Sequence, residues 1–279
     1  MDWKLGLLAI ASVMVLFVLW IGDIIKPGSL KRSGLRHVEV YFFGIWLFAA
    51  IVTFVVGPLT AQFAAHWPQV VGDGDAESLR HQTAMLLCVS GVSGAVGIGL
   101  AYLISCGGKG TGLRVTWSDI PLGLACFVLA LPLVELVGST LMLVHTQLSG
   151  VKPDELGHPT LALILDGWGS TWGWALVAAV VLVVPIAEEL IFRGFLQSAI
   201  LRYADSPWVA VTLTSIGFAA VHYGWDGQPG VPWYGIGQLF MLSIAIGIAY
   251  ERTRRLGVPI VMHAAFNAMM VTLAVARTG

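Results

Sequence analysis

Three short polar groups interrupt the apolar second half of this chain, and each has a spacing that chemistry can use. In Pro185-Ile186-Ala187-Glu188-Glu189-Leu190-Ile191-Phe192-Arg193, two adjacent carboxylates end an apolar run that begins at Trp174. Ionised groups are badly solvated in hydrocarbon, so an acid within a membrane span is a functional candidate by default. Glu189 and Arg193 are i and i+4 on a helix, acid first, which is the favourable order for an ion pair. Glu188 points about 100° away round the same helix. One acid is therefore offered a structural partner and the other is left free. In Phe218-Ala-Ala-Val-His222, Phe and His share a helical face, and in His263-Ala-Ala-Phe-Asn267, His and Asn do the same. Each group also has a bland reading: a helix end at the membrane surface for the acids, a satisfied structural side chain for either His. Two His, an Asn and a free Glu in one small bundle outweigh it. Together they offer a general base, polarising donors and a set of metal ligands.

The elements that must position these residues are transmembrane helices. Of the 279 residues, 57% are hydrophobic and only 11% are charged, against about 25% charged in a soluble domain. The fold class is all-α: a polytopic bundle of about eight transmembrane helices forming a single membrane domain over residues 1–279. Residues 1–145 hold four spans, at about Leu5–Ile25, Val38–Thr60, Thr83–Ile104 and Ile120–Val144. The N-terminal run lacks a small-residue cleavage site and reads as a retained helix. Residues 171–275 hold the motif-bearing spans. The fifth starts near Thr171 and continues as helix to Tyr203, followed by Trp208–His222, Trp233–Tyr250 and Val258–Val275. Glu135 lies in the middle of the fourth span. With no motif around it, its favoured reading is a carboxyl bonded to a neighbouring helix. The stretch His145–Ser170 turns mildly amphipathic at Leu161, Leu163 and Ile164 and reads as interfacial. Cys88, Cys106 and Cys126 are scattered, forming neither a disulfide framework nor a metal knuckle.

Eleven of the fifteen lysines and arginines fall on the side that faces the loops after spans one, three, five and seven. The positive-inside rule puts that side in the cytoplasm and both termini outside. The expected location is the plasma (cell inner) membrane, multi-pass. Net charge is −1, so nothing suggests nucleic acid. The expected partners are the lipid bilayer and a peptide or protein substrate within it, and the sequence sets no oligomeric state.

Glu188-Glu189-x-x-x-Arg193, then Phe218-x-x-x-His222, then His263-x-x-x-Asn267, each on a hydrophobic helix, resembles the CAAX-protease and bacteriocin-processing family of intramembrane proteases, also called the abortive-infection family. The resemblance covers roughly residues 171–275 and implies an eight-helix bundle whose buried cavity cleaves peptide bonds. Members are described as metalloproteases or as metal-free glutamate proteases, and in both accounts the first Glu and both His are central. The expected catalytic set is Glu188 as general base, His222 holding and polarising the water, and His263 and Asn267 as donors to the oxyanion. Glu189, Arg193 and Phe218 are structural support. Glu188, His222 and His263 could instead ligate Zn²⁺ and leave one position open for water. The reading leans to the metal-free account, because Asn267 is a better oxyanion donor than a ligand.

Rival chemistries fare worse. No His is followed by Glu, so the His-Glu-x-x-His zinc motif is absent. Gly91-Val92-Ser93-Gly94 matches the Gly-x-Ser-Gly of rhomboid proteases, but small residues abound in that span and favour helix packing. Gly72-Asp73-Gly74-Asp75 matches a presenilin-like motif, but in a polar loop. A transporter using Glu135 and Glu188 as proton-relay acids would favour an internal repeat, and the sequence has none. A non-catalytic membrane scaffold or immunity protein of the same fold remains the alternative. The span drawing also carries a conflict. It sets Glu188 and His263 towards the cytoplasm and His222 at the far outer end of its helix.

Overall fold

The computed structural model describes residues 3–30, 112–153, 159–223 and 230–278. The second and third expected spans lie outside these residues, as do Cys88, Cys106 and the two dismissed protease motifs. Among the described residues the chain is all-α: α1 (Trp3–Ile21), α2 (Asp119–Ser149), α3 (Pro159–Asp166), α4 (Thr171–Ala204), α5 (Pro207–His222), α6 (Trp233–Thr253) and α7 (Gly257–Thr278). Five of these, α1, α2, α4, α6 and α7, are long and apolar enough to cross a membrane. Helix α5 is apolar but has 16 residues, about 24 Å of rise against roughly 30 Å of hydrocarbon.

Water gives no reason for these helices to associate, because lipid is as apolar as they are, so close approach and polar contacts must hold them. Glycines provide the approach. A Cβ at Gly123 of α2 would meet Val261 Cβ of α7 at 2.6 Å, and one at Gly247 of α6 would meet Gln197 Oε1 and Val211 Cγ1, both at 3.0 Å. The layer of α2, α6 and α7 closes on Phe127, Val134, Leu242, Ile246, Met262 and Phe266, all buried. Helices α4, α5 and α6 close on Phe195, Phe218 and Tyr250. Helix α1 packs on α2, and Ser12 is its buried residue. The stretch read as interfacial contains α3, whose Leu161 and Ile164 sit against Leu176, Val271 and Ala274.

Polar contacts gather at one end of the bundle, where α2 begins and α6 ends. Arg255 pairs with Asp119 at 2.9 Å, Arg254 with Glu251 at 2.6 Å, and Arg252 donates to Ser29 O at 3.2 Å. The two hairpin turns at this end use non-glycine residues with positive φ, Asp205 at 46° and Arg254 at 52°. Asp tolerates that conformation through its short polar side chain, and Arg254 is held there by its ion pair.

The α4–α5 hairpin resolves the depth conflict. The span drawing took the end of the apolar run at Glu188 as the cytoplasmic end of the crossing, but the helix runs on to Ala204 and the chain turns only at Asp205–Ser206. Glu188 lies 17 residues before Asp205 and His222 lies 16 residues after Ser206. Antiparallel helices of equal reach bring the two to the same level.

Candidate active site

The local structure around the two acids follows from one proline. Val184–Glu189 is an α-helical segment set between two π-helical segments, Ala179–Val183 and Leu190–Gln197. Single π turns inside α-helices recur at functional sites. The Val184 N–H bonds to Ala179 O, five residues back, so the Val180 carbonyl loses its usual α-helical donor. The next candidate donor in the π register is residue 185, which is proline and has no N–H. Val180 O is instead reached by Asn267 Nδ2 at 2.8 Å. Helix α7 thus ties down the turn that precedes Glu188. This bond uses one of the two amide hydrogens of Asn267, and the residue also lines the cavity described below.

The two acids diverge as their helical angle requires. Glu189 has no exposed surface. Its Oε1 lies 3.2 Å from Arg193 Nη1 and 2.8 Å from His263 Nδ1, and its Oε2 lies 3.1 Å from Arg193 Nη1. Arg193, equally buried, donates through Nη2 to Ser243 Oγ at 2.7 Å and Ser243 O at 3.3 Å. Its guanidinium sits 4.8 Å from the centre of the Phe218 ring. Glu189 is therefore more than the helix-end support expected from spacing. It also fixes the imidazole of His263. Ser243 is a member that spacing could not reveal, since it comes from a different helix.

Glu188 faces a cavity of about 310 Å³. His222 Nε2 approaches its Oε1 at 3.9 Å and His263 Nε2 approaches its Oε2 at 3.8 Å. The remaining nitrogens define the tautomers. His222 Nδ1 lies 2.7 Å from Phe218 O, and His263 Nδ1 lies 2.8 Å from a Glu189 oxygen. The Phe218 carbonyl can only accept and the Glu189 carboxylate accepts from His263, so each Nδ1 donates and each ring turns its Nε2 towards Glu188. Glu188 Oε2 is buried and has no hydrogen-bond partner. Two imidazole nitrogens and a carboxylate thus face one point, with room for a small group between them.

Phe218 sets the angles of this group. Its ring lies 4.6 Å from that of His222, tilted, and meets His263 edge-on at 5.7 Å. Phe192 packs edge-on behind it at 5.2 Å. Of the residues singled out by spacing, Glu188, Phe218, His222, His263 and Asn267 line this cavity, and Glu189 and Arg193 stand behind it, against His263 and Phe218. The rest of its lining is mostly apolar, including Leu161, Val184, Tyr234, Leu239, Phe266 and Met270. Glu135 stands apart. It accepts from Gln238 Nε2 at 2.9 Å, the interhelical bond that the bland reading expected.

Two imidazoles and a carboxylate are the ligand types that Zn²⁺ takes in hydrolytic sites, and a His whose far nitrogen donates to a carboxylate, as His263 does to Glu189, is the usual outer-shell arrangement. In type, the set fits. In spacing, it is more open than a bound ion requires. Among the described residues no group of three His, Cys, Asp or Glu is gathered closely enough to hold a metal.

A helical bundle with apolar spans and a buried glutamate–histidine centre defines a multi-pass integral membrane protein with the make-up of a hydrolase. Residues 170–269 match the family model of the type II CAAX prenyl endopeptidase Rce1-like proteins, and that segment contains every motif residue from Glu188 to Asn267. The match bears out the resemblance drawn from the motifs and supports a protease of CAAX type. No curated protein and no solved structure matches the chain.

Proposed function

We propose that the protein is an intramembrane endopeptidase that hydrolyses peptide bonds of membrane-associated or lipidated substrates with a water activated by Glu188. The carrying observation is the convergence of Glu188, His222 Nε2 and His263 Nε2 in one cavity, at 3.9 and 3.8 Å. A water held between them can give one proton to Glu188 while its oxygen adds to the scissile carbonyl. The proton on Glu188 then passes to the leaving amine as the C–N bond breaks, which gives a carboxylic acid and an amine; the acid's remaining proton moves to the amine, leaving carboxylate and ammonium, so atoms and charge balance. His222 accepts from the water and orients it. His263, with a proton taken from solvent on Nε2 before the attack and kept through it, and the second amide N–H of Asn267 are the donors to the tetrahedral oxyanion. Glu189 holds His263 in the tautomer that leaves Nε2 facing the cavity. Zn²⁺ bound by Glu188, His222 and His263 would supply a Lewis acid and a lower-pKa water at the same place.

The apolar cavity wall favours a hydrophobic peptide segment, presented from the bilayer. The test is cleavage of a reconstituted hydrophobic peptide library by the purified full-length protein, with and without a chelator, beside Glu188→Ala. Cleavage that survives the chelator and disappears in Glu188→Ala supports the metal-free form. Loss under chelation with recovery on adding Zn²⁺ supports the metal form. Equal cleavage by Glu188→Ala contradicts both.

A further inference from the structure

A second cavity, of about 280 Å³, lies beside the catalytic one. Its polar lining is Lys4 of α1, Glu135 and Ser139 of α2, Gln238 of α6 and Arg277 of α7. Met142, Leu161, Gln238 and Met270 line both cavities, so side chains alone, and no intervening helix, divide them. Gln238 stands in that dividing wall and donates to Glu135 at 2.9 Å.

The contents of this cavity follow from its charges. Glu135 is 16 residues into α2, about 24 Å along a membrane-crossing helix. Ionisable groups at such positions face the bundle interior or a water-filled space. Lys4 lies in the first turn of α1 and Arg277 in the last turn of α7, so the cavity runs from helix ends at one membrane face inwards to Glu135. One water needs roughly 10–15 Å³ and two to four polar partners. The cavity offers far more than that volume and five polar side chains. The catalytic cavity is different, with a mostly apolar wall, yet each hydrolysis consumes one water that must be replaced there. Lys4, Glu135 and Arg277 all lie outside residues 170–269, the segment that matches the family.

We propose that this second cavity is a water-filled antechamber that supplies the Glu188 site, with the Glu135–Gln238 pair as its polar floor and the partition towards the catalytic cavity. Its purpose rests on the hydrolytic reading, while its existence and its connection do not.

The experiment therefore reads water access alone. Full-length protein in phosphatidylcholine nanodiscs is treated with a small, charged, membrane-impermeant thiosulfonate, with the unsubstituted chain as the baseline for native cysteines. Ser139→Cys lines the antechamber and Val128→Cys is exposed on the lipid-facing side of the same helix. Ser139→Cys is expected to react at least about tenfold faster, since a charged reagent enters water-filled space and not hydrocarbon. Leu239→Cys lines only the catalytic cavity, and its reaction should slow by roughly tenfold when Ser139→Trp plugs the antechamber. Glu135→Leu removes the polar floor without adding bulk, and should slow reaction at both cysteines if Ser139→Trp does not fold. Ser139→Cys reacting no faster than Val128→Cys would overturn the proposal. So would reaction at Leu239→Cys that is unaffected by both Ser139→Trp and Glu135→Leu. No peptide is involved, so a protein without peptidase activity would still answer, and the failure of one reading is not mistaken for the failure of the other.

Discussion

Arg193 is a fully buried guanidinium inside a membrane helix, and its neighbourhood explains how it is tolerated. A carboxylate, a hydroxyl, a carbonyl and an aromatic face surround it, and its charge is matched by Glu189. Breaking a buried pair by removing one partner costs about 3–5 kcal/mol. Glu189→Gln is therefore expected to lower the thermal unfolding temperature sharply and to reduce turnover as well, because His263 loses the carboxylate that fixes its tautomer. Ser243→Ala removes a hydrogen bond to a charged group, worth about 1.5–3 kcal/mol. It should show a smaller fall in unfolding temperature with turnover largely retained. Unchanged stability in both variants would mean that the buried cluster does not hold the site. The Glu189–Arg193 pair was legible in the sequence because i, i+4 geometry is local. The bond from Glu189 to His263 and that from Arg193 to Ser243 were not, since helix periodicity assigns faces within a helix and says nothing about the register between helices.

At the scale of the element, the angle at which Glu188 enters the cavity depends on the π-helical turn at Ala179–Val183. Deleting Leu182, whose side chain is exposed, would remove the extra residue of that turn and rotate Glu188 by about 100°. A displacement of this size should cut turnover by at least about a hundredfold while circular dichroism keeps its helical content. Turnover close to that of the full chain would show that the turn does not aim Glu188. Asn267→Ala leaves the half-buried Val180 carbonyl without its donor, a cost of about 1 kcal/mol, the low end of the range for an unsatisfied acceptor. It should also slow turnover, since the same change removes a polar side chain that lines the cavity. Loss of stability with full turnover would leave Asn267 as a tether for Val180 alone. Pro185 was visible in the sequence as a breaker of hydrogen bonds. Its consequence, an orphaned carbonyl on α4 rescued from α7, needed the packing of those two helices. The sequence likewise drew His222 too far from Glu188, because the end of the apolar run at Glu188 was read as the end of the crossing, while the helix runs on to Ala204 before the chain turns.

For the whole molecule, composition alone made the all-α membrane class legible, and the faces of three motifs pointed to one shared site. The level at which those faces meet was set by the α4–α5 hairpin. Orientation rests on the distribution of lysine and arginine. Single cysteines placed at Arg254 and at Asp75 in a cysteine-free background should differ in reaction with an impermeant reagent added outside intact cells, position 75 reacting and position 254 protected. The reverse pattern would invert the molecule and the side from which its antechamber fills. The central claim is that this bundle cleaves peptides through Glu188, and one comparison tests it most directly: single-turnover cleavage of the same membrane peptide by the unsubstituted protein and by Glu188→Gln, with thermal unfolding measured on both samples. General-base catalysis contributes about 10²- to 10⁴-fold, so the account predicts a loss of that order in Glu188→Gln at an unchanged unfolding temperature. A folded Glu188→Gln protein that cleaves as fast as the unsubstituted one would contradict it.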